Sequence, residues 1–205
     1  EAKNSIAVIP FANMTGDKEQ DYFCDGIAEE ILITLSNIKE LKVVGRSSSF
    51  QFKNSEYSEV QIAGTLNVNH ILQGRIRRRG NRLRINAMLY SVGEESQIWA
   101  KRYDRELDDI FEIQDDIAEK ISNELEVNLV KNVDKAKPVS LEAYEMLLKG
   151  RYFEEMFIEG FDRAQSCYFQ AVELDPDYAE GYAALANIHF LQTMHLLIPP
   201  KEGFK

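Results

Sequence analysis

Six arginines, Arg75, Arg77, Arg78, Arg79, Arg82 and Arg84, crowd into the stretch QGRIRRRGNRLRI. A guanidinium is a planar, permanently charged fork that pairs well with phosphates and carboxylates. Such a cluster suits a nucleic-acid hook, the capture of an acidic surface, or simple solvation of one face of a hairpin. Nucleic-acid binding calls for interleaved aromatics or a helix that enters a groove. No aromatic stands between Arg75 and Met88, and the flanking segments are acidic. The cluster therefore reads first as the wet face of a hairpin. An acidic partner or neighbouring helix is the second reading, with Arg75, Arg77, Arg82 and Arg84 as its candidate residues.

Other reactive side chains do not converge. The carboxylate pairs Glu29-Glu30, Asp108-Asp109 and Asp115-Asp116 are adjacent in helical contexts, and sequence neighbours on a helix do not share a face. His70, His189 and His195 show no ligand spacing with one another or with a cysteine. There is no glycine-rich phosphate loop and no Ser/His/Asp set. No catalytic residue, metal site or cofactor is assigned. Cys24 and Cys167 sit far apart in apolar helical contexts and read as free buried thiols, which suit a reducing, cytoplasmic compartment.

The elements around these residues follow from periodicity. Residues 5–11 (SIAVIPF) form an apolar run that predicts a buried strand. Phe23, Ile27, Ile31, Leu35 and Ile38 recur at helical spacing, and 41–46 (LKVVGR) predicts the next strand. Strand, helix, strand implies a parallel pair with a crossover. A short helix over 56–66 then leads to a meander. Gly80-Asn81 predicts a two-residue hairpin turn. That turn pairs Arg79 with Arg82, Arg77 with Arg84 and Arg75 with Asn86, while Leu72, Gly74 and Ile76 pair with Leu89, Ala87 and Ile85 on the core face. Like charges face each other across the strands, so something acidic is expected to cover them. A third strand, 97–106, supplies Asp104 and Glu106. A long helix follows, with capping-box spacing at Asp109 and Glu112. The expected fold is α+β: a mixed five-stranded sheet with helices mainly on one face, over residues 1–131.

The parallel pair also suggests a ligand site. Open α/β sheets often bind ligands in the loops at the carboxyl ends of their strands. Asn13, Thr15, Arg46, Ser47 and Ser48 are the polar groups expected there, as an anion or small-ligand pocket, with turn capping as the plainer alternative.

Residues 132–139 are polar and lysine-rich and read as a linker. Beyond them, 140–205 carry no strand signal. Ala164, Tyr168, Ala171 and Pro176 reproduce the spacing of the second helix of a tetratricopeptide repeat. Tyr182, Leu185, Ala186 and His189 fall where the first helix of the next repeat places its signature residues. One complete and one truncated repeat are expected, with Ala164, Ala171 and Ala186 at helix contacts and Tyr182 and Leu185 as partner-binding candidates. A stripe of Tyr182, Leu185, Ile188 and Leu191 would lack its covering helix, which predicts self-association through the C-terminal helix.

The net charge of −10 argues against the whole chain being a nucleic-acid or anionic-membrane binder, and no apolar stretch is long enough for a membrane span. The first residue is Glu1, which suggests a piece of a longer protein. Residues 5–52, 71–90 and 98–121 together resemble the FlgO/TolB-N-terminal-like domain, whose pattern includes an arginine-rich hairpin of this type. In many bacterial signalling proteins that domain precedes tetratricopeptide repeats. The resemblance implies a non-catalytic sensory and interaction region that binds a protein partner through its repeats. It also implies, as an alternative, the regulatory arm of a class III adenylate/guanylate cyclase whose catalytic domain lies elsewhere. The output domain in this family is also found as a CadC-like winged helix.

Overall fold

Pro10 ends the first strand within the apolar run, and a second short strand forms just beyond that run, where a turn was expected. In the computed structural model, which describes residues 4–128 and 140–199, β1 spans Ser5–Val8 and β2 spans Ala12–Asn13. Both run parallel to β4, His70–Arg79. A proline has no N–H to donate, so a ladder that reaches it is interrupted. The Ile9 N–H still donates to the Leu72 carbonyl and the Met14 N–H to that of Ile76, so the chain keeps to the same side of β4 across the break. The predicted five strands are therefore six among the described residues.

β3 (Lys42–Val43) joins β1 in parallel, and β5 (Arg82–Ser91) and β6 (Ser96–Glu106) continue from β4 as an antiparallel meander. The order is β3-β1-β4-β5-β6, with β2 beside β4. β3 is shorter than predicted. Gly45 is the last extended residue, and Arg46 opens a one-turn helix, α2, Arg46–Phe50. Arg46, Ser47 and Ser48 thus lie in a helix rather than a loop. The hairpin has the predicted register, rung for rung. Gly80 has φ +59°, and Asn81 is not in the left-handed region, which fits a turn with glycine at its first central position.

Strand alternation sorts the side chains onto two faces. Ile6, Val8, Leu72, Ile76, Ile85 and Leu89 are fully buried on the face beneath α1 (Asp21–Ser36) and α4 (Ile110–Glu124). Two contacts identify that face: Tyr103, in register with Ile85, donates to Asp116 of α4 at 2.5 Å, and the Arg78 guanidinium lies over the Phe23 ring of α1. On the opposite face Ala7, Ile9 and Ile71 cluster with Phe52, Ile62, Ala63 and Val68, brought by α2, α3 (Glu59–Leu66) and their connections. Helices therefore pack on both faces, not mainly one. The second face is covered at one end of the strands, while the arginine-bearing hairpin end stays open.

Two helix starts show how local chemistry decides. Ser58 and Gln61 form a reciprocal capping box at the head of α3, with the Ser58 N–H donating to Gln61 Oε1 at 3.0 Å. The box predicted from Asp109 and Glu112 is absent. A 3-10 turn, Leu107–Asp109, leads into α4, and Asp109 at φ −81°, ψ 6° lacks the extended backbone that turns a cap side chain toward the free N–H groups.

The chain divides into two compact units, Glu1–Lys131 and Asn132–Lys205; the predicted linker 132–139 lies outside the described residues. The described part of the second unit is helical, with α5 (Leu141–Glu154), α6 (Phe161–Leu174) and α7 (Ala179–Met194). Contacts that join the start of one helix to the end of the other make each successive pair antiparallel. The Ser140 N–H donates to Asp175, while Arg163 stacks on Phe153. Gln165 meets His189, and Gln192 donates to Asp162. Ala164, Tyr168 and Ala171 are fully buried in the shared core with Leu147, Phe161 and Ile188. The hairpin of α5 and α6 closes tightly because Gly150 presents no side chain to the Tyr168 ring.

Candidate functional site

Asp21, Asp25 and Glu29 stand four residues apart on α1, so their side chains fall in one row. Each carboxylate meets a group from a loop or helix at the carboxyl ends of the parallel strands. Asn13 Nδ2 donates to Asp21 Oδ1 at 2.7 Å and to the Asp17 carbonyl at 2.8 Å. Lys53 Nζ lies 2.6 Å from Asp25 Oδ2 and 3.7 Å from Asp21 Oδ2. Arg46 Nε is 3.1 Å from Glu29 Oε2, with its guanidinium over the Phe50 ring.

This row orders the predicted loop residues. Asn13 and Thr15 are brought together: Asn13 Oδ1 accepts from the Thr15 N–H at 2.9 Å and from its hydroxyl at 2.6 Å. Arg46 joins the row through Glu29. Ser47 and Ser48 are exposed on α2. Sequence reasoning missed Asp21, Asp25, Glu29 and Lys53. The signal was there for Asp25, an ionisable residue set between Cys24 and Ile27 on the buried stripe of α1. Lys53 carried none.

The electrostatics of this cluster follow its burial and its ion pairs. Burial raises the Asp25 carboxyl above its ordinary value, opposed by the hydrogen bond and charge of Lys53. Desolvation, with Asp25 and Asp21 nearby, pushes the Cys24 thiol up to about 12, so it stays protonated and unreactive at neutral pH. Among the described residues no three His, Cys, Asp or Glu side chains are grouped to hold a metal ion. The histidines pack instead. His70 Nδ1 faces the Ser5 carbonyl at 3.2 Å, and burial lowers its pKa. His195 packs on Phe157 and Phe161, and His189 on Phe169.

A second polar region lies on the open sheet face. The register places Arg75, Asn86 and Arg102 on one rung, Arg77, Arg84 and Asp104 on the next, and Arg79, Arg82 and Glu106 on the last. The expected acidic cover comes from β6. Asp104 accepts from Arg84 Nε at 2.5 Å and from Arg102 Nε at 2.6 Å. These two hydrogen bonds, Arg84 first, hold its carboxyl below the usual carboxylate range. Arg77 Nε donates to the Met14 carbonyl at 3.2 Å. Arg78 points to the opposite face.

A third surface lies on α7. Ile188 is fully buried against α6, with Leu185 and Leu191 partly buried beside it. The uncovered stripe is therefore Tyr182, Ala186, Phe190 and Met194, which keeps Tyr182 of the predicted stripe and replaces Leu185, Ile188 and Leu191. Ala186, expected at a helix contact, is exposed. Leu196 and Leu197, just beyond α7, are exposed as well.

These features define a class: a mixed α+β domain with an ion-paired cluster and an arginine face, followed in the chain by a separate antiparallel helical unit. No family model matches the chain. It is 38% identical over 193 residues to a curated protein of Rhizobium meliloti (strain 1021) named "Putative adenylate cyclase 3". That match takes in 91% of this chain and 33% of the relative, so the chain spans about a third of the relative's length. Among solved structures, TolB from Acinetobacter baumannii is similar with a TM-score of 0.45 and 12% identity, over 60% of this chain and 28% of that one. The lipoprotein GNA1162 from Neisseria meningitidis gives 0.43 and 14%, over 58% and 99%. The LpoB C-terminal domain from Escherichia coli gives 0.39 and 14%, over 50% and 82%. No helix among the described residues is long and apolar enough to cross a membrane.

Proposed function

We propose that this chain is a non-catalytic sensory and protein-interaction region of a bacterial signalling protein. The observation that carries the reading is the 38% identity, which runs over 193 residues and so takes in both units. The alignment leaves most of the relative's length for other domains, and the relative is named as an adenylate cyclase. That favours the more specific form, in which the chain is the regulatory arm of a nucleotide cyclase whose catalytic domain lies outside these residues.

In this reading the helical unit is one tetratricopeptide repeat followed by the first helix of a second, and it holds a protein partner. The buried Ala164 and Ala171, the Gly150–Tyr168 approach, and Pro176 just past α6 support it. Tyr182, exposed on α7, belongs to the partner surface; Leu185 lies at its edge. The compartment is the cytoplasm, which the two free buried cysteines suit.

The test is cyclic-nucleotide production. The purified chain with Mg²⁺ or Mn²⁺ and ATP or GTP is expected to form none above a blank, while its longer parent forms cyclic nucleotide at a rate that changes when residues 1–205 are deleted. Product from the chain alone sinks the non-catalytic reading. A parent with no cyclase activity sinks the cyclase form.

A further inference from the structure

We infer that the open sheet face of β4, β5 and β6 is a docking surface for an acidic polypeptide, bound carboxylate by carboxylate through its arginines. This inference stands whether or not the parent is a cyclase.

The face presents Arg75, Arg77, Arg79, Arg82, Arg84 and Arg102 on three adjacent strands, all exposed, in a chain of net charge −10. Among the described residues only Asp104 and Glu106 lie on these rungs as acids. Asp104 is engaged by Arg84 and Arg102. No ion pair holds Arg75, Arg79 or Arg82 among the described residues. Two like-charged pairs, Arg77 with Arg84 and Arg79 with Arg82, face each other directly across the hairpin, an arrangement that costs stability unless an anion intervenes. The molecule shows how one does. The Asp104 carboxylate bridges two guanidinia from neighbouring strands, and the Arg79–Arg82 rung lacks such a bridge.

The chemistry selects the occupant. All six cations are arginines, whose forks favour planar carboxylates, whereas lysine would serve as a point charge. A pleated face repeats its positions every second residue along a strand, a spacing that an extended acidic segment shares. Duplex or single-stranded nucleic acid fits less well, because no aromatic lies on the arginine rungs to stack a base and two carboxylates are interspersed among them. A lipid surface would want large apolar side chains beside the cations, and on β4, β5 and β6 the arginine rungs present none.

The experiment measures binding of the whole chain to a fluorescein-labelled oligoglutamate peptide at low ionic strength. Labelled duplex DNA and phosphatidylglycerol vesicles are run as competitors for the assignment. Saturable binding of the peptide that weakens as salt is added is expected. Arg79→Gln with Arg82→Gln should weaken it by about tenfold or more, on the order expected for losing two paired charges. Lys18→Gln with Lys39→Gln removes the same formal charge from exposed sites elsewhere and should leave it unchanged. Arg79→Lys with Arg82→Lys should bind between wild type and the glutamine variant. The glutamine variant relieves a like-charge pair, so its thermal midpoint should not fall, which separates lost binding from lost fold. The inference is overturned if the peptide does not bind, if both glutamine variants lose binding equally, or if DNA or vesicles bind more tightly than the peptide.

Discussion

Asp25 is the residue whose burial asks most of its partners. It is 5% exposed, and Oδ1 has no hydrogen-bond partner, so Lys53 on Oδ2 is its main compensation. Its folded pKa lies above the unfolded value of 3.8, chiefly through desolvation. A raised carboxyl contributes stability that is fully present below 3.8 and lost as pH rises through the folded value. Asp25→Asn keeps an acceptor for Lys53 and removes the buried charge. Its thermal midpoint should rise relative to wild type as pH climbs from acid to neutral, with the gap closing in acid; a gap that widens in the other direction contradicts this account. Lys53→Met should do the reverse. It strands a buried carboxylate and should cost about 2–3 kcal/mol near neutral pH, less than a fully buried pair because Lys53 is partly exposed. Part of that loss should return in acid.

The pairing of α5 with α6 turns on small residues. Gly150→Ala would gain about 1 kcal/mol of helix propensity in an isolated helix. Here a Cβ would run into the Tyr168 ring, which is fully buried and tied by its hydroxyl to Glu154 at 2.7 Å, so it has little room to move. Overpacking should win, with a net loss of about 1–3 kcal/mol in chemical denaturation. Ala171→Leu, fully buried on α6, should lose a similar ~1–3 kcal/mol. An unchanged midpoint for both would mean that the α5–α6 contact is looser than the structure has it. The β4–β5 hairpin was legible in full because its register needs only a period of two and a glycine turn. β3 and the head of α4 were not. Their ends depend on where neighbouring segments satisfy the backbone, at Gly45 and in the 3-10 turn before Ile110.

For the chain as a whole, the exposed stripe of Tyr182, Ala186, Phe190 and Met194 predicts self-association. Three of these are large apolar side chains, each 46–62% exposed, with Leu196 and Leu197 next to them. Contiguous apolar surface of this kind tends to be buried against something. Sedimentation should show a mass that rises across micromolar concentrations. Phe190→Glu with Met194→Glu should hold the chain monomeric without lowering its thermal midpoint, since neither side chain belongs to the buried cluster. Wild type that remains monomeric throughout rules the contact out.

Amino-acid order alone determined the longer elements and the hairpin rungs, because periodicity and turn glycines act over a few residues. It also determined that the arginines share a face and that Asp104 and Glu106 come within reach of them. Tertiary structure decided the rest. Asp25 and Lys53 lie 28 residues apart, and only the packing of the segment after α2 against α1 joins them. Which side of α7 stays open depends on its rotation against α6, where Ile188 and Gln192 turn inward and Phe190 outward. The single carboxylate that bridges Arg84 and Arg102 was decided by the strand pairing of β5 with β6, since a carboxylate can be shared between two guanidinia only where the sheet sets the three side chains close together.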